Sequence, residues 1–146
     1  MDLLLPKMER FCGYQPRSIH EVRIKFKGEA DNPAHLEDCL EQLKALGYLD
    51  DRKFALDYTR GKIRAHSWGP RMVAYRLAEK HIARPWIEEA IQAHQEEFKV
   101  ALEQILHKKL RPFRQVASPV PMAGLRRYLG QKGFDWEDID RALKHL

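Results

Sequence analysis

Apolar residues return along this chain at three- and four-residue steps. Leu36, Leu40, Leu43 and Leu46 do so, then Phe98, Leu102, Ile105, Leu106 and Leu110, then Ile139, Ala142, Leu143 and Leu146. That spacing gathers each set on one face of a helix, whereas a half-buried strand needs strict alternation. No convincing alternating run occurs, and the pattern predicts an all-α chain. The punctuation agrees with it. Ser18-Ile19-His20-Glu21 has the form of a capping box, in which serine and glutamate each satisfy an amide of the first turn. Pro33, Pro70, Pro85 and Pro121 each precede a periodic segment, where a fixed φ and a missing N–H cost little. Asp50 and Asp135 stand at N-cap positions, and Gly47 and Gly133 stand where helices should end. Leu110–Pro121, with three prolines and a serine, reads as a loop.

The pattern also repeats. Shifted by 52, Val73, Leu77, Ile82, Ile87, Ala90 and Ile91 fall on Leu125, Leu129, Phe134, Ile139, Ala142 and Leu143, and Lys80 falls on Lys132. Shifted by 51 the other way, Val73, Leu77, Ile87, Ala90 and Ile91 fall on Val22, Phe26, Leu36, Cys39 and Leu40. A period near 50 residues predicts three copies of one three-helix unit, at 1–50, 51–97 and 98–146. Each copy is too small to bury much apolar surface alone, so the expectation is tandem units packed in series as an elongated monomer.

Charge adds a surface to this scaffold. The 146 residues carry 26 Lys and Arg against 21 Asp and Glu, a net of +5. Arg60–His81 holds Arg60, Lys62, Arg64, Arg71, Arg76 and Lys80 against Glu79 alone, and Lys108–Lys132 holds seven cations and no acid. Glu29–Asp51 is the reverse, seven acids against Lys44. Two like-signed stretches in corresponding places of successive units suggest a surface for an anionic partner, although solvated helix faces also collect Lys and Arg. Trp68, inside the first stretch, either anchors a partner or closes the core of its unit. Trp86 and Trp136 open their third helices at near-equivalent positions and suggest packing between units; Tyr48, Phe54 and Tyr58 read as packing residues.

Enzymatic chemistry has little to stand on. Asp50 and Asp51 form a carboxylate pair, but their place ahead of Phe54 explains them as a cap and a first-turn acid. Cys12, His20, His35 and Cys39 lack the short paired spacing of a zinc site, and Cys39 takes a small core position. There is no Walker A loop, G-x-G-x-x-G or H-E-x-x-H. No catalytic residue, metal or cofactor is expected. Two distant cysteines fit reduced thiols and the cytoplasm. No apolar run nears the roughly 20 residues of a membrane helix, and Met1-Asp2-Leu3-Leu4-Leu5-Pro6 is too short and lacks the basic start of a secretory signal.

Gly47-Tyr48-Leu49-Asp50-Asp51 with Phe54-Ala55, then Trp68-Gly69-Pro70-Arg71, Leu77, Lys80 and Ile82, follow one another in order. Leu125, Tyr128-Leu129, Lys132-Gly133-Phe134 and Ile139 come after, and Arg17-Ser18 with Glu21-Val22 come before. Together these resemble the RecX family across nearly the whole chain. The tract Met8–Gln15 is similar to RecX proteins of the Bacteroides group. Two departures stand out: His81 occupies the place of a common family glycine, and Lys27-Gly28-Glu29 continues with a charged, non-aromatic residue. The resemblance implies tandem three-helix repeats lying in the groove of a RecA–DNA filament, contacting RecA subunits and lowering ATPase and strand exchange. It also implies direct DNA contact in some members, and no cofactor.

Arg60, Lys62, Arg64, Trp68, Arg71, Arg76, Lys80, Arg126, Arg127 and Lys132 are thus the candidate residues for binding protein or nucleic acid. Three readings of function stand side by side: a RecA filament modulator, a free-standing helix-turn-helix-like DNA-binding protein using the arginines of second helices, and a helical-repeat adaptor for another protein.

Overall fold

The structure, a computed structural model, describes residues 3–145; Met1, Asp2 and Leu146 lie outside them. Nine helices and no strand occur among the described residues: α1 (Leu4–Tyr14), α2 (Ile19–Phe26), α3 (Pro33–Ala45), α4 (Asp51–His66), α5 (Pro70–Glu79), α6 (Arg84–Ala93), α7 (Gln95–Gln115), α8 (Met122–Gln131) and α9 (Trp136–Lys144). None is long and apolar enough to cross a membrane.

The helices start where the side chains can cap them. Ser18 accepts a hydrogen bond from the Glu21 amide, Asn32 from that of His35 and Asp50 from that of Lys53. Pro33 and Pro70 take the first helical positions of α3 and α5. Asp135 holds the N-cap position of α9, yet its side chain makes no capping bond. Only half of the expected capping box forms, because the Glu21 carboxylate turns away to Lys80. Gly47 and Gly133 adopt φ of +85° and +101°, the left-handed geometry that ends α3 and α8.

Leu110–Pro121 departs from its expected loop. Helix α7 runs on to Gln115 with Pro112 inside it, leaving only residues 116–121 as connection. Leu110 is buried and extends the stripe of Phe98, Leu102 and Leu106. Burial of that face outweighs the hydrogen bond to Lys108 that a proline cannot make, one bond near the helix end.

The repeat positions form the interior. Val22, Val73 and Leu125 are buried, as are Phe26, Leu77 and Leu129, and Leu40, Leu43 and Ile139 with them. The interior nevertheless divides unevenly. Helices α1–α3 close a core of their own around Met8, Val22, Leu40 and Leu43. Helices α4–α9 share a second, continuous core from Phe54 through Leu77, Ala90, Phe98, Leu106 and Leu129 to Ile139. Two buried polar groups in it are satisfied locally: the Thr59 hydroxyl donates to the Ala55 carbonyl, and the His94 ring bonds that of Ala90 where α6 hands over to α7.

Two junctions join the three-helix groups. At the first, the Ile19 amide donates to the Asp51 carboxylate at 2.9 Å, Lys80 pairs with Glu21 at 3.0 Å, and the His20 and His81 rings stack 3.5 Å apart, 4° from parallel. The second is made by backbone. The Gly69 amide donates to the Lys132 carbonyl at 2.7 Å and the Arg71 amide to that of Gly133 at 2.9 Å. The chains approach so closely that a Cβ on Gly69 would stand 2.4 Å from the Gly133 carbonyl carbon.

Candidate interaction surface

Helix α4 ends on Ser67, whose left-handed backbone (φ 53°) bonds back to Ile63 and swings the chain towards α5. This turn sets Trp68 on the edge of the larger core, half-buried, so the packing reading of that residue holds in part. Its inner edge packs and its outer face meets cations. Lys62 lies 5.3 Å from the Trp68 ring centre and Arg76 5.8 Å, with the His66 ring stacked at 5.4 Å. Lys62 is also 5.3 Å from the Tyr58 ring and Lys80 5.7 Å. Cations over aromatic faces contribute about 0.5–1 kcal/mol each at exposed sites. Burial pushes the Tyr58 hydroxyl up from its ordinary pKa, against the pull of Arg76, so the ring stays a neutral phenol.

Tyr58, Trp68, Arg76 and Lys80 line a cleft of about 510 Å³ with His20, Glu21 and Glu79. It sits at the first junction, with one wall from α2 and the other from α4 and α5. Its charge is partly answered from within, since Arg76 pairs with Glu79 and Lys80 with Glu21, both at 3.0 Å. Arg60 and Arg64 stand apart from it. They are exposed on α4, roughly 160° and 120° around the helix from Tyr58 at about 100° per residue.

The second junction carries a cleft of about 430 Å³ that brings Arg71 and Arg127 together with Gly130, Gln131, Phe134 and Trp136. Arg71 makes a 3.7 Å contact with Asp135. Trp136 lies against the bare backbone of Gly130 and is 52% exposed; Trp86 is 38% exposed, with Arg52 5.6 Å from its ring. Trp136 thus lies in the cleft between the second and third groups, whereas Trp86 meets Arg52 of its own group, and each ring keeps one face open to solvent.

Arg126 points elsewhere, held ionically by Asp140 at 2.9 Å without the alignment of a hydrogen bond. Lys132 donates to the His66 carbonyl at 2.8 Å, tying α8 to the end of α4. Lys109 lies 4.5 Å from the Tyr128 ring, beside a smaller hollow of about 200 Å³. His20, Tyr58 and Tyr128 escaped the sequence reading as surface residues. Their signal, rings brought against a second ring or a lysine, exists only once the helices are packed.

The remaining candidate chemistry resolves into structure. Asp50 caps α4 and Asp51 accepts the Ile19 amide; burial raises the Asp51 pKa, opposed by that hydrogen bond. Cys12 and Cys39 are buried in the first core, where burial raises the Cys12 thiol, opposed by Arg17. No group of three metal-ligating side chains converges among the described residues.

Successive three-helix groups, with cation-and-aromatic clefts where they join, define an all-helical protein of the tandem three-helix class. The family description "RecX, second three-helix domain" matches residues 50–91. The regulatory protein RecX of Enterococcus faecalis is 30% identical over 99% of this chain and 55% of its own length. That of Oceanobacillus iheyensis is 29% identical over 93% and 50%, and that of Pelodictyon phaeoclathratiforme 26% over 94% and 84%. The crystal structure of RecX from Lactobacillus salivarius superposes with a TM-score of 0.86 at 19% identity, covering 98% of this chain and 94% of that one, which establishes the all-helical fold. This chain belongs to the RecX family. It spans about half the length of several of the curated relatives it matches.

Proposed function

We propose that this protein binds a RecA filament on DNA and lowers its ATP hydrolysis and strand exchange, acting by contact rather than catalysis, as a cytoplasmic monomer. The observation that carries the reading is the recurrence of a cleft at each junction, one lined by Arg76, Lys80, Tyr58 and Trp68, the next by Arg71, Arg127 and Trp136. A filament presents the same subunit again and again, and a repeat protein with a contact point at each junction suits such a partner. Family membership points the same way. Lys62 belongs to the first contact point through its place over Tyr58 and Trp68. Arg60 and Arg64 supply outlying charge, and Arg126 and Lys132 hold the scaffold more than the partner.

The test is titration of the protein into RecA assembled on single-stranded DNA while ATP hydrolysis is followed. Turnover should fall with added protein, and fall less as salt screens the clefts. Unchanged turnover, with equal binding to naked DNA and to filament, would instead support direct DNA binding. Indifference to both would leave an adaptor for another protein.

A further inference from the structure

The two junctions place the same parts together by different means. In each, the start of a second helix meets the turn that follows the second helix of the next group: Gly69–Arg71 against Lys132–Phe134, and Ser18–His20 against Lys80–Ile82. The later junction is locked by two backbone hydrogen bonds between glycine-lined strands of chain and by the core shared across α4–α9. No backbone-to-backbone bond crosses the earlier one among the described residues, and α1–α3 keep a core of their own. What closes it is side chains. His20 stacks on His81, Lys80 holds Glu21, and Asp51 holds the Ile19 amide. His81 takes φ +58° where its counterpart Gly133 takes φ +101°. A left-handed backbone is uncommon for a residue with a side chain, so the ring is placed against His20 in spite of its backbone.

We propose that the first junction is a proton-sensitive hinge: with both imidazoles neutral it is closed by their stack, and charging both opens it, freeing α1–α3 to reorient while α4–α9 move as one body. Two imidazolium rings with centres 3.5 Å apart repel, though water at the exposed His81 screens part of that repulsion, whereas neutral rings stack. The charged and titratable groups around the pair are Glu21 and Arg23 on α2, Asp51 and Tyr58 on α4, Arg76 and Glu79 on α5, and Lys80 just past the end of α5. Glu21 is paired with Lys80 and Glu79 with Arg76, so each carboxylate's charge is partly answered before it reaches the rings. The His20 pKa is lowered, first by burial, then by His81 and Arg23, with Glu21 opposing. The closed junction therefore resists protonation of His20, and acid must shift it towards the open form. This hinge does not depend on what the clefts bind.

Residual dipolar couplings of backbone N–H groups in the full chain test it, with α1–α3 and α4–α9 fitted to separate alignment tensors at pH about 8 and about 5, the two ends of the imidazole range. The two tensors should coincide at the higher pH and diverge at the lower, while couplings within α4–α9 keep fitting one tensor throughout. His20→Gln and His81→Gly each remove one of the two stacked rings, and each should make the relation between the tensors independent of pH. A parent whose tensors stand in the same relation at both pH values overturns the proposal, as does an undiminished pH response in both variants.

Discussion

Single residues carry unequal weight in this fold, and two glycines carry the most for their size. Gly69 and Gly133 meet backbone to backbone, and a methyl group on Gly69 would lie 2.4–2.6 Å from three main-chain atoms. Neither chain can retreat without breaking the hydrogen bonds between them. Gly69→Ala is expected to cost about 3 kcal/mol, the upper part of the usual overpacking range, visible as a lowered urea midpoint with an unchanged m-value. Leu77→Ala and Leu129→Ala remove fully buried side chains at equivalent repeat positions and should each cost roughly 2–5 kcal/mol in the same measurement. Asp51 offers a pH-dependent case. Its folded pKa lies above its unfolded value, so its titration favours the fold below the unfolded pKa and ceases to do so as pH rises through the folded one. Asp51→Asn keeps an oxygen for the Ile19 amide but no longer takes up that proton. It should therefore lose more stability than the parent between pH about 5 and about 3.5, followed by thermal unfolding across that range.

Helix α7 shows best what the sequence could and could not disclose. The stripe of Phe98, Leu102, Leu106 and Leu110 was readable from spacing alone, but Pro112 argued for an earlier stop. Local chemistry and tertiary burial gave opposite instructions there, and only packing decides between them. Pro112→Ala should restore the missing bond to Lys108 and raise stability by about 1–3 kcal/mol, with a matching gain in far-ultraviolet helicity. The helix starts were legible because caps are local: Ser18 and Asp50 each bond an amide three residues on. The fate of Glu21 was hidden, since Lys80 is 59 residues away and no local pattern announces such a partner. The exposure of the Trp86 and Trp136 rings is hidden from the sequence for a related reason. Periodicity fixes where a residue sits on its own helix, but not whether a neighbour arrives to cover it.

Across the whole molecule, the ten candidate surface residues sort by what already holds them. Arg71 and Arg127 face one cleft, whereas Arg126, beside Arg127 in sequence, is held by Asp140. On the proposed function, charge reversal of Arg71 with Arg127 should weaken binding to a RecA filament at least tenfold, while reversal of Arg126 should act mainly on the α8–α9 pair. Fluorescence anisotropy of labelled filament DNA at two salt concentrations would separate them. Equal, small effects from both would mean the cleft is a solvated face. Exposed charges contribute little to folding, so the melting of the double variant should hardly move. The division of the interior into one core for α1–α3 and another for α4–α9 reaches further than binding. A chain with two nuclei of cohesion need not come apart all at once. The smaller body should melt as its own cooperative block, so calorimetry should return a heat of unfolding larger than the sharpness of the transition implies. Amide protons near Met8 and Leu40 should exchange through an opening that those near Leu77 and Leu129 never feel.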